Sequence, residues 1–337
     1  MPKHRGNHLL FGKLEYVLAI VCPGQGSQTP GFLSPWLEVP GVAEHLGLLS
    51  DIAQLDLLSH GTVSDEETIK DTAVAQPLIV AAGLLAARAL TADEALDLST
   101  VVAGHSVGEI TASAVSGALT ENDAMNFVRE RANAMARAAA QTPTGMSAVL
   151  GGDPDEVLAA IEAAGLTPAN ANGGGQTVAA GTLEQLQAFA ANPPAKARVI
   201  PLKVAGAFHT EHMAPAVSAL ENLRPQLKPA MPSLTLLSNY DGEPVVGGEE
   251  NLDSLIAQVS RPVRWDKCME KMLSVGITGL LELPPAGTLT GLAKRGMKGV
   301  ATMSLKSPDD LDAAKAFIAE HTEQTPVLNS MSGESEK

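Results

Sequence analysis

V-V-A-G-H-S-V-G-E-I-T-A, residues 101–112, is the stretch on which the reading of the fold rests. Val101, Val102 and Ala103 make a short apolar run of the kind buried in a parallel sheet, and from Val107 onward the spacing turns helical. Between them, Gly104-His105-Ser106-Val107-Gly108 fits G-x-S-x-G, a strand-to-helix corner that thrusts a serine outward. The glycines there have a steric role, because a strand that turns at once into a helix leaves no room for Cβ atoms on either side of the serine. Ser106 is therefore a candidate nucleophile, and the N–H of Val107, at a helix N-terminus, a candidate donor to an oxyanion. A Gly-Ser turn without chemistry is the plain alternative. The apolar strand before the corner and the helix after it favour the nucleophile.

Upstream, Y-V-L-A-I-V-C at residues 16–22 is a continuous apolar run of strand length, as a central parallel strand requires. It runs into Pro23-Gly24-Gln25-Gly26-Ser27-Gln28. A dinucleotide fingerprint would need a third glycine where Thr29 stands, and an acidic residue ending a second strand about 20 residues on; neither is present. The glycines instead suit a loop whose backbone approaches a ligand, with Gln25 offering donors. Residues 68–89 read as two helical pieces, the second opened by Ala75-Gln76-Pro77 with the proline in its first turn, and Gln76 is given no more than that structural place.

Downstream, residues 120–140 form a helix with Thr120 as N-cap and Asp123 at the third position. At 100° per residue, Ala124, Phe127, Val128 and Met135 share one stripe, and Arg131 lies on it too. Arg129, Glu130 and Arg137 point elsewhere, as solvated charges do. An arginine on the core side is costly unless an anion meets it. That anion is either a buried Asp or Glu in a structural pair, or the carboxylate of a substrate held by the fork of the guanidinium. The pattern alone leaves both open.

Near Gly145 the order of elements changes. A strand at 146–150, a helix at 153–165, strands at 169–172 and 176–180 across Gly173-Gly174-Gly175, a helix at 182–191 and a strand at 198–204 give βαββαβ, a ferredoxin-like unit inserted in a larger α/β domain. No lysine follows the glycine triplet, so it reads as a hairpin rather than a phosphate loop. The expected division is 16–141 and 205–318 for the large domain and 142–204 for the insert. V-A-G-A-F-H-T-E-H at 204–212 returns the chain to the large domain with two histidines, His209 and His212, either of which could serve Ser106 as a base. Their H-x-x-H spacing lacks the remainder of a zinc signature, and no metal is expected. Beyond lie a strand at 234–238, helices at 252–259 and 265–274, and a strand at 279–282 taken as the last of the core.

The chain has 337 residues, enough for one large domain or two smaller ones. Aromatic residues are only 3%, so Ala, Leu and Val must fill the interior. A formal charge of −15 argues against nucleic acid and anionic membranes as general partners, so an anionic ligand must be held by a few specific groups. Cys22 and Cys268 are too few for a disulfide scaffold, and a reducing cytoplasm is expected. No apolar run is expected to approach the roughly 20 residues of a membrane span. Residues 1–15 are expected to be a leader outside the fold, and residues 319–337 a disordered polar tail.

Taken jointly, P-G-Q-G-S-Q at 23–28, G-H-S-V-G-E at 104–109, R-x-R around Arg131, G-A-F-H at 206–209 and Q-V-S-R-P-V-R-W at 258–265 are highly specific. With them the chain resembles, from residue 16 to about residue 310, the malonyl-CoA:acyl-carrier-protein transacylases of fatty-acid and polyketide synthesis. The resemblance implies a hydrolase-like large domain carrying the small insert. It further implies that Ser106 carries malonyl as an ester, that His209 is its base, and that the N–H groups of Gln25 and Val107 form the oxyanion hole. Arg131 would hold the malonyl carboxylate, the main-chain carbonyl of Gln258 would orient His209, and Phe208 would favour malonyl over α-methylated acyl groups. Malonyl-CoA and an acyl carrier protein are the implied partners, with no cofactor and with a monomer expected. The carrier is acidic, as is this chain, so docking requires a local basic patch; Lys294, Arg295 and Lys298, with Lys196 and Arg198, are the clearest. A serine esterase or thioesterase would use the same elbow with water as acceptor, and a carrier-binding scaffold would use it for nothing.

Overall fold

The computed structural model describes residues 18–322; the expected leader, Tyr16 and Val17 of the first strand, and the tail from residue 323 lie outside the described residues. Among the described residues, ten strands, β1 (Leu18–Cys22), β2 (Val101–Gly104), β3 (Thr144–Gly151), β4 (Thr167–Gly173), β5 (Gln176–Thr182), β6 (Ala197–Pro201), β7 (Thr235–Leu237), β8 (Val263–Arg264), β9 (Gly279–Glu282) and β10 (Ala301–Ser304), form two sheets. The large sheet has the order β10-β9-β1-β2-β7 and is parallel throughout. Its central strands are buried on both faces, which is why they read as unbroken apolar runs. Alternate residues of β1 divide between two cores: Leu18, Ile20 and Cys22 pack with the helices Thr72–Leu90 and Glu121–Ala139, whereas Ala19 and Val21 pack with Trp265, Met269 and Leu289 on the opposite face.

The smaller sheet runs β6-β3-β5-β4-β8. Its first four strands are antiparallel neighbours in the order of a split βαββαβ unit, and β8 from the later part of the chain adds in parallel to β4. This sheet is largely exposed along β6 and packs a core of its own, Val149, Val157, Ile161, Leu166 and Phe189, beneath the helices Pro154–Ala163 and Leu183–Ala191.

Several expectations need correction. The second helix of the 68–89 region begins at Thr72, where Asp71 caps it by accepting the N–H of Ala73, so Pro77 sits inside the helix and not in its first turn. A side-chain cap is the stronger start signal, and Pro77 within the helix forgoes the bond its missing N–H would have made and crowds the Ala73 carbonyl one turn earlier. That helix, 19 residues long, is also apolar enough to cross a bilayer by length and composition, against the expectation of no such run; most of it is buried among the other helices of the fold. The strand at 279–282 is not the last, because β10 pairs with it at the sheet edge, where partial exposure replaces the apolar run that marks an inner strand. The helix expected at 252–259 spans Gly248–Gln258. Residues 319 and 320, assigned to the tail, end the helix Leu311–Glu320.

Parallel register decides where the chemistry lies. Cys22 stands opposite Gly104, so the loop after β1 and the corner after β2 leave the same sheet edge side by side. The segments after β7 and β9 leave that edge too, the crevice at strand carboxyl ends where ligands of open α/β sheets bind.

Candidate active site

Ser106 occupies the tip of the corner with φ +53°, the left-handed region that a residue other than glycine enters only where the surroundings enforce it. A Cβ on Gly104 would collide with the backbone of Gly108, and one on Gly108 with the carbonyls of Cys22 and Pro23. Asn239, just beyond β7, clamps the corner: its Oδ1 accepts the Ser106 N–H at 2.8 Å while its Nδ2 donates to the Gly104 carbonyl.

His209 Nε2 lies 2.8 Å from Ser106 Oγ, and His209 Nδ1–H donates to the main-chain carbonyl of Gln258 at 2.8 Å. With Nδ1 so occupied, Nε2 is the free acceptor for the serine proton. His209 also takes a positive φ, +62°, and its N–H donates to Val259. Burial, followed by the nearby Arg131 cation, pushes its pKa down to about 3, so the imidazole is neutral at physiological pH. His212 does not join the site; its N–H is bound to the Thr210 hydroxyl that caps the following turn.

Arg131 is 1% exposed. Its Nη1 donates to Gln76 Oε1 at 2.6 Å, and its Nη2 to Gln258 Oε1 at 2.8 Å and, at 3.4 Å, to Ser106 Oγ. No carboxylate lies within ion-pair distance of it among the described residues, and its Nε has no partner. Burial lowers its pKa to about 10, against the pull of Glu109, and it stays cationic. Of the two partners left open by the pattern, the direct protein carboxylate is therefore absent.

The N–H groups of His105, Ser106, Gly108 and Glu109 are all taken by protein acceptors, whereas those of Val107 and Gln25 have none among the described residues. The side chain of Gln25 is tied back to the Lys70 carbonyl, which anchors the loop. These groups line a cavity of about 200 Å³ between the two sheets. Phe208, Met135 and Leu292 give it apolar walls, and β3, β4 and β5 close it with Met146, Ala148, Asn170, Asn172 and Val178. Asn172 Oδ1 holds His105 Nε2 at 2.8 Å; Asn170, 6% exposed, has no hydrogen-bond partner for its carboxamide among the described residues.

Sequence reasoning missed Asn170, Asn239 and Glu109 and undervalued Gln76. Glu109 lies in the quoted stretch itself and is 1% exposed; burial raises its pKa to about 7, while the Asn239 N–H, Gln258 and the charges of Arg131 and Arg261 pull it back. A buried acid one turn past an elbow is visible in sequence, but Asn239 and Asn170 come to the site only through sheet order. Lys294, Arg295 and Lys298 are exposed at and just beyond the C-terminal end of the helix Thr288–Gly296, whose other end lines the cavity, and form no ion pair among the described residues. Lys196 and Arg198 are exposed at β6.

The fold and this site define an acyltransferase. The chain belongs to the family described as the acyl transferase domain, which it matches over residues 19–317. It is 51% identical over 297 residues to the malonyl CoA-acyl carrier protein transacylase of Mycobacterium tuberculosis, covering 88% of this chain and 98% of that one. The protein of the same name from Escherichia coli is 31% identical over 303 residues, with the same coverage. Among solved structures, the M. tuberculosis enzyme superposes with a TM-score of 0.84 at 50% identity, covering 89% of this chain and 99% of that one. The malonyl-CoA:acyl carrier protein transacylase of Xanthomonas oryzae gives 0.83 at 33%, covering 90% and 98%.

Proposed function

We propose that this chain transfers malonyl from malonyl-CoA to the phosphopantetheine thiol of acyl carrier protein, for fatty-acid synthesis, through a malonyl ester on Ser106. In the first half, His209 Nε2 takes the proton as Ser106 Oγ attacks the thioester carbonyl. The tetrahedral oxyanion is met by the N–H groups of Val107 and Gln25, collapses, and expels the coenzyme A thiolate, which takes the proton from His209. In the second half, the carrier thiol gives its proton to His209, its sulfur attacks the ester, and Ser106 leaves with the proton restored. The Gln258 carbonyl stabilises the imidazolium in both halves, so no third acidic member is needed.

The observation that carries this reading is Arg131: a buried cation beside Ser106, surrounded by neutral acceptors and with a free Nε. A substrate carboxylate would fill that deficit, and it would also offset the Arg131 charge that depresses His209, making the base stronger when the right acyl group is bound. A neutral-acyl esterase has no use for such a group. The basic cluster of Lys294, Arg295 and Lys298 supports this face as the dock for an acidic carrier. We take residues 142–204 as an insert within the large domain that supplies the far wall of the cavity. The reading needs no cofactor, no second subunit, no nucleic acid and no membrane, and a reducing compartment suits the two buried free thiols.

Mass spectrometry after mixing with malonyl-CoA tests it. A malonylated Ser106 peptide that disappears on addition of carrier protein is the expected result; hydrolysis without transfer would indicate an esterase, and no adduct a scaffold.

A further inference from the structure

We propose that Glu109 is a positioning residue for the reaction: one buried carboxylate that sets the orientation of Gln258 and, through it, holds both the carboxylate-binding arginine and the base. This rests on the malonyl-transfer reading above. The geometry is a branched chain of hydrogen bonds. Glu109 Oε1 accepts the Asn239 N–H at 2.7 Å, and Asn239 in turn holds the Ser106 N–H. Glu109 Oε2 accepts from Gln258 Nε2, and Gln258 Oε1 in turn accepts from Arg131 while its main-chain carbonyl accepts from His209. Ser106, His209 and Arg131, though neither of the two oxyanion N–H groups, are thus one residue removed from this side chain.

Glu109 fixes the orientation of the Gln258 carboxamide together with the Ser106 carbonyl, which accepts from the same Nε2 at 3.1 Å. A carboxylate only accepts, so the NH₂ group must face it, which leaves Oε1 toward Arg131. The reverse orientation would oppose two acceptors at Glu109 and two donors at Arg131. Both Glu109 oxygens already accept a hydrogen bond, so this arrangement belongs to the ionised form. The carboxylate also compensates the Arg131 charge without touching it. A direct pair would block the guanidinium against a substrate, whereas a pair relayed through an amide leaves it open. Glu109 sits in the first turn of the helix Gly108–Val115, where the helix N-terminus favours a negative charge.

The test compares Glu109→Gln and Gln258→Met with the wild type in the rate of Ser106 acylation, by quenched-flow mass spectrometry, using malonyl-CoA and acetyl-CoA as donors. The wild-type malonyl reaction checks the function itself; only the variants' departure from it checks the role of Glu109. In Glu109→Gln the malonyl rate should fall by about 10-fold or more and the malonyl-to-acetyl ratio by about 5-fold, with the double variant no worse than the poorer single one. A purely structural role would lower the melting temperature and scale both donors alike, and that outcome, or an unchanged ratio, overturns the proposal. So does a double variant whose losses multiply. Should Glu109→Gln not fold, Glu109→Asp carries the same test: it keeps the charge but is one methylene too short to reach Asn239 and Gln258 together, and a wild-type ratio in it refutes the role.

Discussion

On the large-sheet side of the cavity, the polar groups nearest Ser106 are held by other protein atoms: His209 by the Gln258 carbonyl, Arg131 by Gln76 and Gln258, the Ser106 N–H by Asn239. The small-sheet side is different. Met146, Ala148 and Val178 present apolar surface there, and Asn170 is buried with no partner for its carboxamide among the described residues. The contrast separates two tasks. Groups that take part in bond making must be held within a fraction of an ångström, and a closed hydrogen-bond network does that. A wall that meets the variable body of a substrate needs shape and one or two open polar sites. Among the non-glycine residues lining the cavity, the positive φ values belong to Ser106 and His209, both on the first side.

The comparison can be broken most sharply at the nucleophile. Ser106→Ala should abolish the covalent malonyl adduct and cut transfer by about 10⁴-fold or more, measured as label passed from malonyl-CoA to carrier protein. Next in size is Arg131→Ala: malonylation should fall by about 100-fold, the scale of a broken buried charge pair at about 3 kcal/mol, while acetylation changes far less. Equal losses for the two donors would remove the carboxylate-binding role.

The electrostatic state of the braced side can be read directly. Histidine side-chain NMR should find His209 without a titration between pH 5 and 8, and Arg131→Met should raise its pKa by removing one cause of the depression. The sign for stability follows. Below its ordinary value of 6.5 the unfolded chain binds a proton that the folded imidazole refuses until about pH 3, so this contribution to stability is full above 6.5 and lost on acidification. Glu109 acts oppositely: with its pKa raised from 4.5 to about 7, it weakens the fold as pH rises through that interval.

Smaller effects are expected from the cavity's apolar and open walls. Phe208→Ser should shift competition between malonyl-CoA and methylmalonyl-CoA toward the branched donor by about 10-fold, the discrimination a hydrophobic pocket gives per methyl group. Asn170→Ala should raise KM a few-fold, by about 1 kcal/mol for one lost hydrogen bond, and leave kcat nearly unchanged. A large fall in kcat there would mean that the small-sheet wall belongs to the braced machinery after all.

Much of the fold was legible because its signals are local. The run ending at Cys22, the glycines around Ser106, and the stripe of Ala124, Phe127, Val128 and Met135 each reflect a neighbour only a few residues away or a face wholly buried. Edge and cap features were harder. β10 is half-exposed and so carries no apolar run, and Asp71 outweighed the proline that suggested a later helix start. Within the site, Arg131 stood out by its place on an apolar stripe, whereas Gln76 looked like any polar residue in a helix. Its acceptor role exists only because the helices Thr72–Leu90 and Glu121–Ala139 pack side by side.

The sequence by itself determined that a serine stands at a tight strand-to-helix corner and that an arginine must be buried nearby in the chain, because both follow from sterics and helical spacing over a few residues. Between the two histidines the residue pattern left open, the tertiary structure decided for His209, which the resemblance had implied, and it alone showed that the arginine faces neutral amides rather than a carboxylate. Those facts depend on how the segment after β6 packs against the end of the helix Gly248–Gln258, where His209 bonds to Gln258 and Val259, bringing Ser106 within 2.8 Å of a side chain 103 residues further along.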